Sequence, residues 1–143
     1  MIALGIGLHN FAEGLAIGQS YSSGNTSFGL ILVLGFALHN ATEGFGIAAP
    51  LAGRYVPSWK QLALAGAIGG GPTFIGTMIG YSFTSPLLSV LFLSTAVGAL
   101  VFVIGELWSV LKKTGVTFAT TSMVPAGFAL GLITELIVDM NGG

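Results

Sequence analysis

Two stretches of this chain carry the same reactive groups at the same spacing. Leu8-His9-Asn10-Phe11-Ala12-Glu13-Gly14 recurs as Leu38-His39-Asn40-Ala41-Thr42-Glu43-Gly44, and Ile17 recurs as Ile47. The two copies hold both histidines of the sequence and two of its five acidic residues. A helix brings residues i and i+4 onto one face, about 6 Å apart along its axis. Each copy would therefore present an imidazole and a carboxylate side by side, with an amide oxygen next to them. Two such faces turned toward each other form a site for a divalent metal. Its candidate ligands are His9, Asn10, Glu13, His39, Asn40 and Glu43. Imidazole and carboxylate without thiolate suit Zn²⁺, Fe²⁺ or Mn²⁺ and disfavour Cu⁺. Each asparagine could coordinate through oxygen or support a ligand from behind.

The elements that position these groups must be membrane helices. Only 6% of the 143 residues are charged and 53% are hydrophobic, against about 25% charged in soluble domains. Such a chain cannot cover a water-facing surface. Five apolar segments are long enough to span a bilayer, which takes roughly 17–25 helical residues: about 1–19, 28–49, 62–83, 87–108 and 123–140. Strand alternation is absent, so the expectation is an all-α, polytopic bundle of five spanning helices in a single domain, 1–143. The net charge is −1 with no basic tract, which argues against nucleic acid as a partner. Absent cysteine excludes disulfides, thiolate metal sites and cysteine nucleophiles. The expected partners are divalent metal ions and the lipid bilayer, with a second copy of the chain as a further one.

The four basic residues, Arg54, Lys60, Lys112 and Lys113, fall in the second and fourth loops. Those loops, 50–61 and 109–122, lie on one side, and the positive-inside rule places them in the cytoplasm. The expectation is a multi-pass protein of the cell membrane with its C-terminus outside. Consecutive helices are antiparallel, and the first loop is centred near Gly24, so His9 and His39 should lie at similar depth near the midplane. An uncompensated charge there costs at least ~2.5–3.5 kcal/mol on insertion scales. No lysine or arginine lies within the spans, so a divalent cation is the partner left for Glu13 and Glu43. The alternative is helix-to-helix hydrogen bonding by protonated glutamates, which a duplicated motif at matched depth disfavours.

Other polar residues sit nearer the ends. Glu106 reads as an interfacial partner of Lys112 or Lys113, or as a carboxylate on a release path. Glu135 and Asp139 read as a solvated helix end or a cation-attracting vestibule. Gly66/Gly70 and Gly76/Gly80 are small-xxx-small pairs for close helix approach, as Gly14 and Gly44 would also be. Gly69-Gly70-Gly71-Pro72 suggests a kink, and Pro50 suggests the end of the second segment.

At the paired motifs the chain resembles the ZIP family of divalent metal-ion transporters. In that family the fourth and fifth of eight helices carry His-Asn-x-Pro-Glu-Gly motifs that form a metal site, often binuclear. The resemblance implies that His9, Asn10 and Glu13 match the fourth-helix ligands, and His39, Asn40 and Glu43 the fifth-helix ones. Ala48-Ala49-Pro50-Leu51 also looks like the family. The resemblance covers the whole chain as helices four to eight. Only eight residues precede His9, and the expectation is a chain lacking helices one to three. Ala12 and Thr42 replace the motif proline. Gly71 stands where many members carry a glutamate before the sixth-helix proline, here Pro72. Glu106 falls where the family often has a seventh-helix glutamate near the cytoplasmic exit. Family members have both termini outside, which gives the same orientation as the charges.

The functional expectation is transport of a divalent cation, zinc first, toward the cytoplasm. An intramembrane metal-dependent hydrolase would need an open coordination position and a free acid or base near the metal. No further His, Asp or Glu lies at that depth. A membrane protein with a structural metal is the other alternative.

Overall fold

In the computed structural model the described residues are 1–52 and 56–140, apart from the side chains at 49, 51, 52, 114, 135 and 138. Arg54 and Tyr55, two of the expected loop residues, lie outside them. Five helices follow one another and no strand occurs among the described residues: α1 Ile2–Ser22, α2 Thr26–Ala52, α3 Trp59–Ser82, α4 Pro86–Thr114 and α5 Phe118–Met140. The fold is thus an all-helical bundle. Three stretches are long and apolar enough to cross a membrane, Thr26–Ala48, Trp59–Ser82 and Pro86–Lys113. The described apolar part of α5, Phe118–Thr134, is shorter. In α1, with 21 residues, His9, Asn10, Glu13 and Gln19 interrupt the apolar run.

Local chemistry sets the boundaries. Gly24 ends α1 at φ +79°, a conformation that costs a glycine little. The Asn25 N–H returns to the Ser20 carbonyl at 3.0 Å, and Asn25 Oδ1 accepts from Phe28 N at 3.3 Å to open α2. A capping box opens α3: Ser58 Oγ accepts from Gln61 N, while Gln61 Oε1 accepts from Ser58 N at 2.9 Å. Lys112 and Lys113 occupy the last turn of α4 rather than a loop. There they complement the helix dipole, and Gly115 follows at φ +101°.

Three prolines, Pro50, Pro72 and Pro125, are carried inside helices. Pro50 lies within α2, and α3 passes unbroken through Pro72. Pro72 has no N–H to give the Ile68 carbonyl. Gly7 of α1 lies against that carbonyl, where a Cβ would press on it. A membrane helix tolerates proline when a neighbouring helix covers the freed group.

α1 is the centre of the bundle. It packs along α3, α4 and α2, while α5 rests on α2. Gln19 Nε2 donates to Ser89 Oγ at 2.7 Å, Phe11 meets Phe92 edge-on, and Gly5 faces Val103, so α1 and α4 are antiparallel. Ile2, Ile6 and Val103 form a small apolar core with Ile47 and Leu107 against it. The α1–α3 contact is a seam of small residues. A Cβ on Gly76 would overlap the Phe11 carbonyl, one on Gly80 the Leu15 carbonyl, and one on Gly14 the Thr73 carbonyl. Gly66 and Gly70, expected to play the same part, face open space, as does Gly44. The large apolar side chains of the outer faces, such as Leu38, Phe45, Phe74 and Phe128, are exposed, as the lipid-facing surface of a membrane bundle would be.

Candidate metal centre

The two motifs come together where α1 crosses α2. The His9 and His39 rings stack with centroids 6.1 Å apart and planes inclined by 18°. His39 Nε2 lies 2.6 Å from Glu13 Oε1, reaching across from the other helix. His9 Nε2 lies 3.3 Å from the same oxygen and 3.9 Å from Glu43 Oε1. One ligand atom each from His9, His39 and Glu43 falls within 4.8 Å of the others. Atoms that all carry lone pairs stand this close only with a proton or a cation between them.

Burial of the two carboxylates is unequal. The Glu13 side chain is 5% exposed and that of Glu43 16%, while His39 keeps 37%. The difference follows from the fold, since α3 covers α1 and leaves α2 more open. Glu13 Oε2, Glu43 Oε2, Asn10 Oδ1, Asn40 Oδ1 and His9 Nδ1 are buried with no hydrogen-bond partner among the described residues. Leaving a buried polar atom unpaired costs about 1–3 kcal/mol. Unpaired carboxylate oxygens on Glu13 and Glu43, the residues that meet the two imidazoles, fit a cation, which would take their lone pairs.

Neighbouring groups hold the candidate ligands. Among the described residues Asn10 is the largest fully buried side chain, 2% exposed, and its Nδ2 donates to the Gly69 carbonyl at 3.0 Å. A carbonyl only accepts, so the NH₂ is turned to α3 and Oδ1 is the atom left over. Phe36 packs edge-on against His39. Thr42, which stands in place of the motif proline, donates its hydroxyl to the His39 carbonyl at 2.6 Å. This bond lies within the motif itself.

The remaining candidates are elsewhere. Glu106 is half-buried on α4, three residues beyond the Val103 that faces Gly5 and so toward the Met1 end of α1. Lys112 Nζ lies 5.9 Å from the centre of the Trp108 ring. Asp139 is exposed near the end of α5, and the Glu135 side chain lies outside the described residues.

Fold and site together define a polytopic helical membrane protein with imidazole and carboxylate groups gathered between two of its helices. The model of the family described as ZIP Zinc transporter matches residues 1–103, and the chain belongs to that family. Its broad activity is therefore metal-ion transport, and it is not an enzyme. No curated protein and no solved structure matches the chain.

Proposed function

We propose that the two motifs are the ion-binding step of a path that carries Zn²⁺ toward the cytoplasm. The convergence of His9, His39 and Glu43 within 4.8 Å, with Glu13 beside them, carries this reading. The donor set is borderline in softness and holds no thiolate, which suits zinc and next to it Fe²⁺ or Mn²⁺. Such ligands also release an ion more readily than a cage of cysteines. Asn10 and Asn40 offer amide oxygens to the same ion. The four basic residues lie on the cytoplasmic side in this reading, Glu106 stands near the exit, and Glu135 and Asp139 belong to the outer end.

Purified protein is expected to bind Zn²⁺ with an affinity that falls as pH is lowered, because protons compete for the same lone pairs. His39→Ala and Glu43→Ala should each weaken binding by at least about tenfold. Calorimetry showing full affinity in both variants would remove the site assignment. Uptake into liposomes with an entrapped zinc dye then tests passage itself.

A further inference from the structure

Most hydroxyl groups inside these helices share one habit. Ser20, Thr77, Ser82, Ser94, Thr95 and Ser109 each donate to the carbonyl four residues earlier, at 2.7–2.9 Å. Thr73 does not. The carbonyl four residues before it belongs to Gly69, whose two lone pairs are both in use. One takes the helical N–H of Thr73 itself, and the other takes Asn10 Nδ2 at 3.0 Å. A carbonyl has no third lone pair to offer. Thr73 Oγ1 is left buried without a hydrogen-bond partner.

The freed hydroxyl lies at the height of the ion site. α1 and α3 run parallel: Asn10 touches Gly69, and Gly14 touches the Thr73 carbonyl one turn further on. Glu13 is the neighbour of Gly14. Its Oε1 faces His9 and His39, and its Oε2 is buried without a partner. A donor without an acceptor and an acceptor without a donor thus stand on facing helices at one level. We propose that Thr73 is a positioning residue for the ion site, its hydroxyl kept free to donate to Glu13 Oε2 and so aim Oε1 at the ion. The proposal rests on the reading that Glu13 belongs to the metal centre. An O–H···O⁻ bond is among the stronger neutral-to-charged contacts, and partners of this kind behind a ligand are worth about 10–100-fold in metal affinity. Asn10 has a double part here: by filling the Gly69 carbonyl it withholds from Thr73 its ordinary partner.

The test compares Thr73→Val, which keeps the shape and deletes the hydroxyl, with Thr73→Ser, which keeps the hydroxyl and trims the methyl. Zn²⁺ titrations of the purified full chain are read alongside the infrared carboxylate stretch. Thr73→Val should bind about tenfold more weakly and shift the carboxylate band that Glu13→Gln removes. Thr73→Ser should restore both. Unchanged affinity in Thr73→Val, with Glu13→Gln weakened, overturns the role of Thr73 and leaves the site standing. Equal losses in the Val and Ser variants also overturn it, since packing rather than the hydroxyl would then be at work. Full affinity in Glu13→Gln removes Glu13 from the metal centre, and the Thr73 proposal with it.

Discussion

Gly76 of α3 sits so close to the backbone of Phe11 in α1 that a Cβ would overlap the Phe11 carbonyl oxygen. The same holds one turn on, between Gly80 and Leu15. Lipid gives helices no hydrophobic reason to associate, so close backbone packing of this kind is a main source of cohesion.

Gly76→Ala and Gly80→Ala should each destabilise the protein by about 1–3 kcal/mol, since backbone atoms must move to admit the methyl group. Gly66→Ala and Gly70→Ala, whose new methyls meet open space, should stay within about 0.5 kcal/mol of the parent. Unfolding in mixed micelles measures both pairs. Equal tolerance of all four would contradict the seam.

The stoichiometry of zinc follows from charge. Glu13 and Glu43 supply a formal −2, which balances one divalent ion. A second would stand uncompensated where the dielectric is low. The expectation is one tightly held ion per chain. Gly71→Glu adds a carboxylate on α3 at a position whose Cβ meets nothing within 4 Å, and should raise the bound metal toward two. Metal analysis by mass spectrometry that finds two equivalent ions in the unaltered chain would show the charge count to be wrong.

Orientation is open to chemical labelling. With no native cysteine, single introduced thiols report unambiguously. Val56 is 94% exposed in the loop before α3, and Ser22 is exposed at the far end of α1. Val56→Cys should react with an impermeant maleimide from the cytoplasmic side and Ser22→Cys from the outside. The opposite pattern would reverse the charge-based topology and the direction of transport drawn from it.

The all-helical bundle could be read directly from the sequence, because apolar runs of this length with so few charges permit little else. The pairing of His9 with His39 was foreseeable too, since two antiparallel helices around a turn at Gly24 carry matched residues to one depth. What sequence could not supply was rotation. Gly66/Gly70 and Gly76/Gly80 have the same spacing, and only the placement of α3 on α1 decides which pair is packed. Glu13 and Glu43 occupy identical motifs, yet the first is the more buried because α3 covers its helix. Pro50 and Pro72 are ordinary stop signals in water, whereas the helices here continue through both. The boundary between α4 and α5 also moved: α4 runs to Thr114, past Trp108, because Lys112 and Lys113 form its final turn instead of leaving it. The reservation of Thr73 had no signal in the sequence, since it depends on which carbonyl Asn10 finds.

The hydrogen bond from Asn10 to Gly69 has a thermodynamic corollary. One amide ties its nitrogen to the backbone of α3 and leaves its oxygen beside the paired motifs. Any cation held by that oxygen therefore has a stake in where α3 stands along α1. If occupancy is tighter in one register of the two helices than in another, then that register must be favoured by occupancy to the same factor. A sliding or tilting of α3 and the escape of the ion would thus be two readings of a single equilibrium, joined through one side chain.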